Sequence, residues 1–474
     1  MWTGDDTLLV IYVVLGVALI VGLITSPLKV HPFLALLIGS TLVGLASGLG
    51  PDEVIESVKG GAGDVLGNVG LILALGTMLG KLMAESGGAE RIAATLLDRS
   101  GPERVPWAMA LIAFIVGIPL FFEIGVVLLI PIIFTMANRV KAQSSTTTAE
   151  GASPGAVMAS SGKTVSTYLL VGIPALAGLS VLHGLVPPHP GPLIAINAIG
   201  ADIGTTLLYG LVIAVPTVII CGPLFARFIS TRATASPPQD LVEQVAKDAK
   251  AENPPSFGIT LFTILLPVGM MLARTVANIT LDKDDKLLKW ADFVGDPIVA
   301  LTVAVLVGMY TFGFSRGFGG KKISEFLGQS LAPAAAILLI IGAGGAFKQV
   351  LIDSGIGDAI AKGAKTADIS ALVLAWGVAV LIRLATGSAT IATITAAGIM
   401  APLVASDPSI DKPLLVLAVG CGSLFLSHVN DAGFWLVNQY FGMSVKDTFK
   451  TWSLMETLIS TVGFAFVLAA SIVV

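Results

Sequence analysis

Glu123 is the one ionisable residue between Arg104 and Arg139, in the middle of an apolar run from Trp107 to Asn138. A charged group inside a membrane segment costs at least about 2.5 to 3.5 kcal/mol on insertion scales, so such a residue is expected to serve a function. Its neighbours in Gly117-Ile-Pro-Leu-Phe-Phe-Glu-Ile-Gly125 are apolar. Such surroundings disfavour the charged form, which suits Glu123 to taking up a proton near neutral pH. A cation of opposite character, Arg383, stands just before Thr386-Gly-Ser-Ala-Thr390 in a second long apolar run. Arginine holds a carboxylate in a two-pronged fork, and the hydroxyls of Thr386, Ser388 and Thr390 could bind neutral polar groups beside it. The pair therefore reads as a site for an anionic substrate and a coupled ion, or as a mutual Glu123–Arg383 ion pair that only holds the fold.

Two sequence breaks add to this set. Val186-Pro-Pro-His-Pro-Gly-Pro192 carries four prolines, which remove donors and interrupt a helix. Inside a membrane a break is tolerated where it lines a cavity or is buried in protein. A helix resuming at Leu193 would point its amides, the positive end, into that cavity. The second break, Ser427-His-Val-Asn-Asp-Ala-Gly433, is rich in hydrogen-bonding groups. His189 and His428 fall in matching breaks and titrate near physiological pH; each reads equally as a hydrogen-bonded loop residue or as a proton or substrate ligand. Gly191, Asn430 and Asp431 complete the candidate substrate residues. Asp431 and His189 join Glu123 as candidate proton carriers.

The elements that must position these residues follow from composition. The 474 residues are 55% hydrophobic and 12% charged, with a mean hydropathy of +0.90. That is an all-α polytopic membrane protein rather than a soluble enzyme. A net charge of -4 implies no nucleic-acid partner. Cys221 and Cys421 lie in apolar runs and are expected to be free thiols. The first run follows Asp5 and Asp6 rather than basic residues, so a retained span is expected and not a signal peptide.

Spans are expected at 7–26, 31–49, 69–84, 164–199 (broken at 186–192) and 205–229, with a hairpin at 107–138 too long for one crossing and too short for two. A polar linker at 230–256 divides the chain. The pattern then restarts, with spans at 257–277, 297–314, 332–351, 413–441 (broken at 428–433) and 451–474, and a hairpin at 371–405. The halves correspond in detail: Glu85-Ser-Gly-Gly-Ala-Glu-Arg-Ile-Ala93 aligns with Asp353-Ser-Gly-Ile-Gly-Asp-Ala-Ile-Ala361, and Gly191 and Gly200 with Gly433 and Gly442. Residues 1–229 and 257–474 thus read as two repeats, each with five crossings, one re-entrant hairpin and one broken helix. Five is odd, so the second lies inverted in the membrane. With both termini outside, 16 Lys and Arg fall on the inner side against 8 outside, the expected bias.

Other features carry less. Glu456, in the last span, is expected to cap or pair near the inner face, and Lys81 and Lys348 to snorkel from span ends. Ser161-Gly-Lys-Thr164 resembles the end of a phosphate loop, but Val157 stands where that loop needs glycine. No zinc spacing, nucleophile elbow or cofactor motif occurs. A channel would need a continuous polar pore, and an embedded enzyme a nucleophile or metal beside its acid and base.

Several stretches resemble the gluconate permease family of the ion-transporter superfamily: Leu120-Phe-Phe-Glu-Ile-Gly125, His183-Gly-Leu-Val-Pro-Pro-His-Pro-Gly-Pro192, Ala201-Asp-Ile-Gly204, Leu338-Leu-Ile-Ile-Gly-Ala-Gly-Gly-Ala-Phe-Lys-Gln-Val350, Gly387-Ser-Ala-Thr390 and Ser427-His-Val-Asn-Asp431. The resemblance implies proton-coupled symport of gluconate or a similar hydroxy-carboxylate across the cytoplasmic (inner) membrane, by a homodimer whose hairpin-bearing domain moves like an elevator. It leaves D-serine, glycerate or fructuronate as other substrates, and sodium as the other coupling ion.

Overall fold

In hydrocarbon every backbone N–H and C=O must be satisfied within the protein, so long apolar runs fold as helices. A computed structural model describes residues 3–145, 156–158, 164–239, 253–282, 285–356, 359, 362, 369–429 and 431–474. The chain is mainly helical. The first half runs α1 (Gly4–Thr25), α2 (Pro32–Ala46), α3 (Pro51–Glu85), α4 (Gly88–Asp98), α5 (Val105–Gly117), α6 (Phe122–Ser145), α7 (Thr167–Leu185), α8 (Pro190–Ile199) and α9 (Ile203–Ile229). The second runs α10 (Phe257–Thr280), α11 (Lys286–Val294), α12 (Pro297–Arg316), α13 (Gly320–Asp353), α14 (Ala371–Thr386), α15 (Ala389–Ser406), α16 (Lys412–Ser423), α17 (Ala432–Tyr440) and α18 (Val445–Ala470). Two three-residue strands, Ala156–Met158 and Thr164–Ser166, pair antiparallel in an otherwise helical chain.

Among the described residues, 8 helices are long and apolar enough to cross a membrane. The units at 105–145 and 371–406 are helix–turn–helix. Two of their arms, Val105–Gly117 and Ala371–Thr386, are too short to count as spans, whereas Ala389–Ser406 is long enough and α6 runs for 24 residues.

Helix α7 ends at Leu185 before α8, the two together forming one candidate span, and α16 ends at Ser423 before α17. The first resumes at Pro190 rather than at Leu193, because proline is tolerated in a first helical turn whose N–H groups have no intrahelical partner. The break is therefore 186–189. The second spans 424–431, between α16 and α17. The lead helices α7 and α16 cross at Gly184 and Gly420, where a Cβ on Gly420 would stand 2.0 Å from the Gly184 carbonyl oxygen. That glycine contact sets the two breaks side by side.

Several boundaries differ from the hydropathy reading, among them the start of α13 at Gly320 rather than 332. α3 begins at Pro51, not 69: its first turns are polar but pack on α13, where Ser57 donates to Asp353 at 2.6 Å. The linker is not wholly free of the bundle either. Ala233 and Ala235 are buried, and the Ser236 amide donates to the Phe441 carbonyl at 2.9 Å. Four of the long helices, α3, α9, α12 and α18, contain a π-turn, at Leu66–Gly70, Ile220–Leu224, Met309–Gly313 and Phe449–Ser453.

Candidate functional site

Arg383 lies in the last turn of α14, which Gly387 ends at φ +71°. Only glycine takes that left-handed conformation without steric cost. The Arg383 side chain is 3% exposed. Its Nη1 donates to the Gly387 carbonyl, and its Nη2 meets Asp431 Oδ2 at 2.5 Å. Its Nε is buried without a hydrogen-bond partner among the described residues. Asp431 is the N-cap of α17, and its Oδ1 accepts from the Gly433 amide at 2.8 Å. A carboxylate at a helix N-terminus is stabilised by the free amides and the helix dipole. The carboxylate that Arg383 meets is thus Asp431 of the second break.

Ser427 ties this pair to the last helix. Its hydroxyl donates to Asp431 Oδ2 and accepts from Trp452 Nε1 at 2.6 Å, while its carbonyl accepts from Ser453 Oγ. Trp452 and Ser453 lie in the π-turn of α18, and the extra residue there lets two consecutive side chains face one partner. Trp452 also packs on Phe122, with ring centroids 5.4 Å apart. Phe122 meets His183 at 6.3 Å, and His183 meets His189 at 6.2 Å. One chain of contacts therefore runs from the first break, past the turn of the first hairpin, to Arg383.

Glu123 follows Phe122 in the first turn of α6; its side chain lies outside the described residues, as does the whole of Asn430. His189 is 3% exposed and occupies the N-cap position of α8 without capping it. Neither of its ring nitrogens makes a hydrogen bond of good geometry among the described residues, although the Gly117 backbone lies beside the ring. His428 Nε2 sits 3.0 Å from the Leu384 carbonyl and joins the second break to α14. A Cβ on Gly191 would come 3.2 Å from the His183 carbonyl oxygen, so the backbones of the first break approach closely there.

The hydroxyls at the turn of the second hairpin serve the backbone first. Thr386 Oγ1 donates to the Ile382 carbonyl at 2.9 Å, and Ser388 caps α15 by accepting from the Ile391 amide at 3.3 Å. Thr390 is half-buried in the first turn of α15.

The sequence reading leaves out Ser180 and Trp452 and understates Glu456. Glu456 is 1% exposed, accepts from Ser180 Oγ of α7, and lies within electrostatic reach of Arg383 and Asp431. Its signal was present: a lone carboxylate in the last apolar run. Its partner, 276 residues away, had none. Lys81 pairs with Glu85 at 2.6 Å. Lys348 departs from the snorkelling expectation: it is buried and pairs with Asp64 of α3 at 3.5 Å.

The site can do simple chemistry. Among the described residues the buried Arg383 is paired directly with the Asp431 carboxylate, whose oxygens are held by a serine, a helix N-terminus and that arginine, with Glu456 further off. A second anion can take the guanidinium only if Asp431 is neutralised, since a buried charge left unpaired is costly.

Comparison with known proteins gives a family and a fold. A family model described as "GntP family permease" matches residues 8–148 and 155–473. The chain is 54% identical over 456 residues to the "Gluconate permease" of Pseudomonas aeruginosa, covering 96% of each. It is 41% identical over 463 residues to the "Gnt-II system L-idonate transporter" of Escherichia coli, covering 98% of this chain and 99% of that one. Among solved structures, the Alcanivorax borkumensis YdaH transporter is similar over 98% of both chains at 15% identity, with a TM-score of 0.50.

Proposed function

This chain belongs to the GntP permease family, and from that premise we propose that it carries gluconate, or a closely related sugar acid, together with protons into the cell. The observation that carries the reading is the buried Arg383–Asp431 pair. With Asp431 ionised, Arg383 is held closed. A proton on Asp431 releases the guanidinium, and the substrate carboxylate takes its place in the fork. The site keeps one cation against one anion throughout, which ties substrate binding to proton uptake. Ser427, His428, Thr386, Ser388 and Thr390 supply polar groups for the hydroxyls of a sugar acid, and Gly191 allows close backbone approach. Glu123 and His189 stand along the same chain of contacts and are the other candidate proton carriers.

The surrounding plan belongs to the same proposal. The two helix–turn–helix units read as re-entrant hairpins of two inverted repeats, 1–229 and 257–474, joined by the linker 230–256 on the inner side, with both termini outside. The short arms Val105–Gly117 and Ala371–Thr386 and the paired breaks support that reading. An elevator-like movement of the hairpins in an inner-membrane homodimer is the associated mechanism.

The test is uptake by the purified protein in liposomes, with gluconate compared against L-idonate, glycerate, fructuronate and D-serine under imposed pH or sodium gradients. Accumulation of gluconate driven by an inward proton gradient is expected. Accumulation driven by sodium alone, or preference for D-serine, contradicts the proposal. Within it, Glu123→Gln separates the carriers: loss of uphill uptake with retained exchange would assign the proton to Glu123 as well.

A further inference from the structure

A second cluster of positive charge lies apart from the transport site. Where the linker rejoins the bundle, a pocket of about 440 Å³ is lined by Arg91 and Thr95 of α4, by Pro254, Ser256, Phe257 and Ile259 at the start of α10, and by Arg316 at the end of α12. Among the described residues no acidic side chain lines it. Arg91 Nε is buried without a hydrogen-bond partner among the described residues. Arg316 is held by uncharged oxygens: the Asn253 side chain at 3.4 Å, the Pro254 carbonyl at 3.3 Å and the Ser315 hydroxyl at 3.2 Å. Neither guanidinium makes an ion pair with a carboxylate among the described residues. A third source of positive potential is α10 itself, a 24-residue helix that starts at the pocket behind its Ser256 cap; helix N-termini present free amides to anions.

Two arginines from different helices, with no carboxylate partner among the described residues, repel one another, and an anion held between them relieves that repulsion. Planar guanidinium forks match an anion with several oxygens, and a helix N-terminus adds donors to the same group. Because α10 is a candidate membrane span, its first turn stands at the depth of lipid headgroups.

We propose that the Arg91–Arg316 pocket is a binding site for a phosphate group, carried by an anionic phospholipid headgroup or free in solution, and separate from the transport site. Occupancy clamps α4, α10 and α12 together at the end of the bundle where the linker re-enters. The inference is independent of which substrate is carried.

Thermal unfolding of the purified full-length protein separates the sources. Inorganic phosphate is titrated in detergent at constant ionic strength, and vesicles of phosphatidylcholine with and without phosphatidylglycerol are compared. Saturable stabilisation by inorganic phosphate identifies a free anion; stabilisation only by phosphatidylglycerol identifies a headgroup. In either case Arg91→Gln and Arg316→Gln should each weaken the midpoint of the effect at least tenfold. Should a variant not fold, native mass spectrometry of the unaltered protein decides: one phosphatidylglycerol retained per chain in preference to phosphatidylcholine, or one phosphate adduct, is expected. The proposal is overturned if neither ligand stabilises or binds the unaltered protein, or if the arginine variants respond as it does.

Discussion

Arg383 and Asp431 meet at 2.5 Å between the turn of one helical hairpin and the N-terminus of α17. Each is also held by its own element: Arg383 by the Gly387 carbonyl, Asp431 by the Gly433 amide. The pair is thus a latch between two parts of the chain 48 residues apart. Removing one side leaves a buried charge alone. Arg383→Ala should therefore lower stability by about 3 to 5 kcal/mol and abolish uptake. Arg383→Lys keeps the charge but not the fork, so the fold should survive while gluconate affinity falls at least about tenfold, roughly 1.4 kcal/mol. Melting temperature and equilibrium binding in detergent separate the two effects.

Ser427 holds Asp431 on one side and Trp452 on the other. Ser427→Ala should weaken gluconate transport by about fivefold, the effect of a lost hydrogen bond of about 1 kcal/mol. Trp452→Phe keeps the ring on Phe122 and loses only the donor, so it should be milder. Uptake rates at subsaturating gluconate check both, and equal, near-normal rates would remove Ser427 from the site.

The glycine crossing of α7 and α16 gives a stability prediction. Gly420→Ala puts a methyl against the Gly184 carbonyl, a close contact that should cost about 1 to 3 kcal/mol through forced separation of the helices. A lowered melting temperature is expected even without substrate. An unchanged one would mean that the two broken helices do not rely on this contact.

The ease of reading differs between parts of the molecule for physical reasons. Isolated charges, proline-rich breaks and apolar lengths are local, so Arg383, Asp431, His189, the two breaks and the two hairpin units are legible from residue types alone. Partner choice is not local. No residue type pairs Asp431 with Arg383; they meet because α17 starts beside α14. Polar helices also escape hydropathy: 51–65 is helical because it packs on α13 and matches Asp64 to Lys348. Trp452 gained its place from a π-turn, which has no sequence signature of its own.

Outside the spans, Asp292 of α11 accepts from Asn278 at 2.9 Å and from Arg274 at 3.0 Å. These two partners, Asn278 first, hold its carboxyl below the ordinary value of 3.8. A depressed folded value means that the contribution is present above the unfolded value and is lost as pH falls through the folded one. Asp292→Asn should therefore lower the melting temperature slightly near neutral pH, with the difference from the unaltered protein closing below about pH 4. Melting curves across pH 3 to 7 check the sign.

The central claim is that Asp431 must give up Arg383 by taking a proton before gluconate can bind. Asp431→Asn is the direct test, because asparagine still caps a helix through its one amide oxygen, with its NH2 turned to Ser427 as a donor, but cannot titrate. Liposomes holding this variant, given an inward proton gradient, should equilibrate gluconate across the membrane without concentrating it, whereas the unaltered protein concentrates it. Gradient-driven accumulation by the Asp431→Asn carrier at the unaltered level would contradict the account.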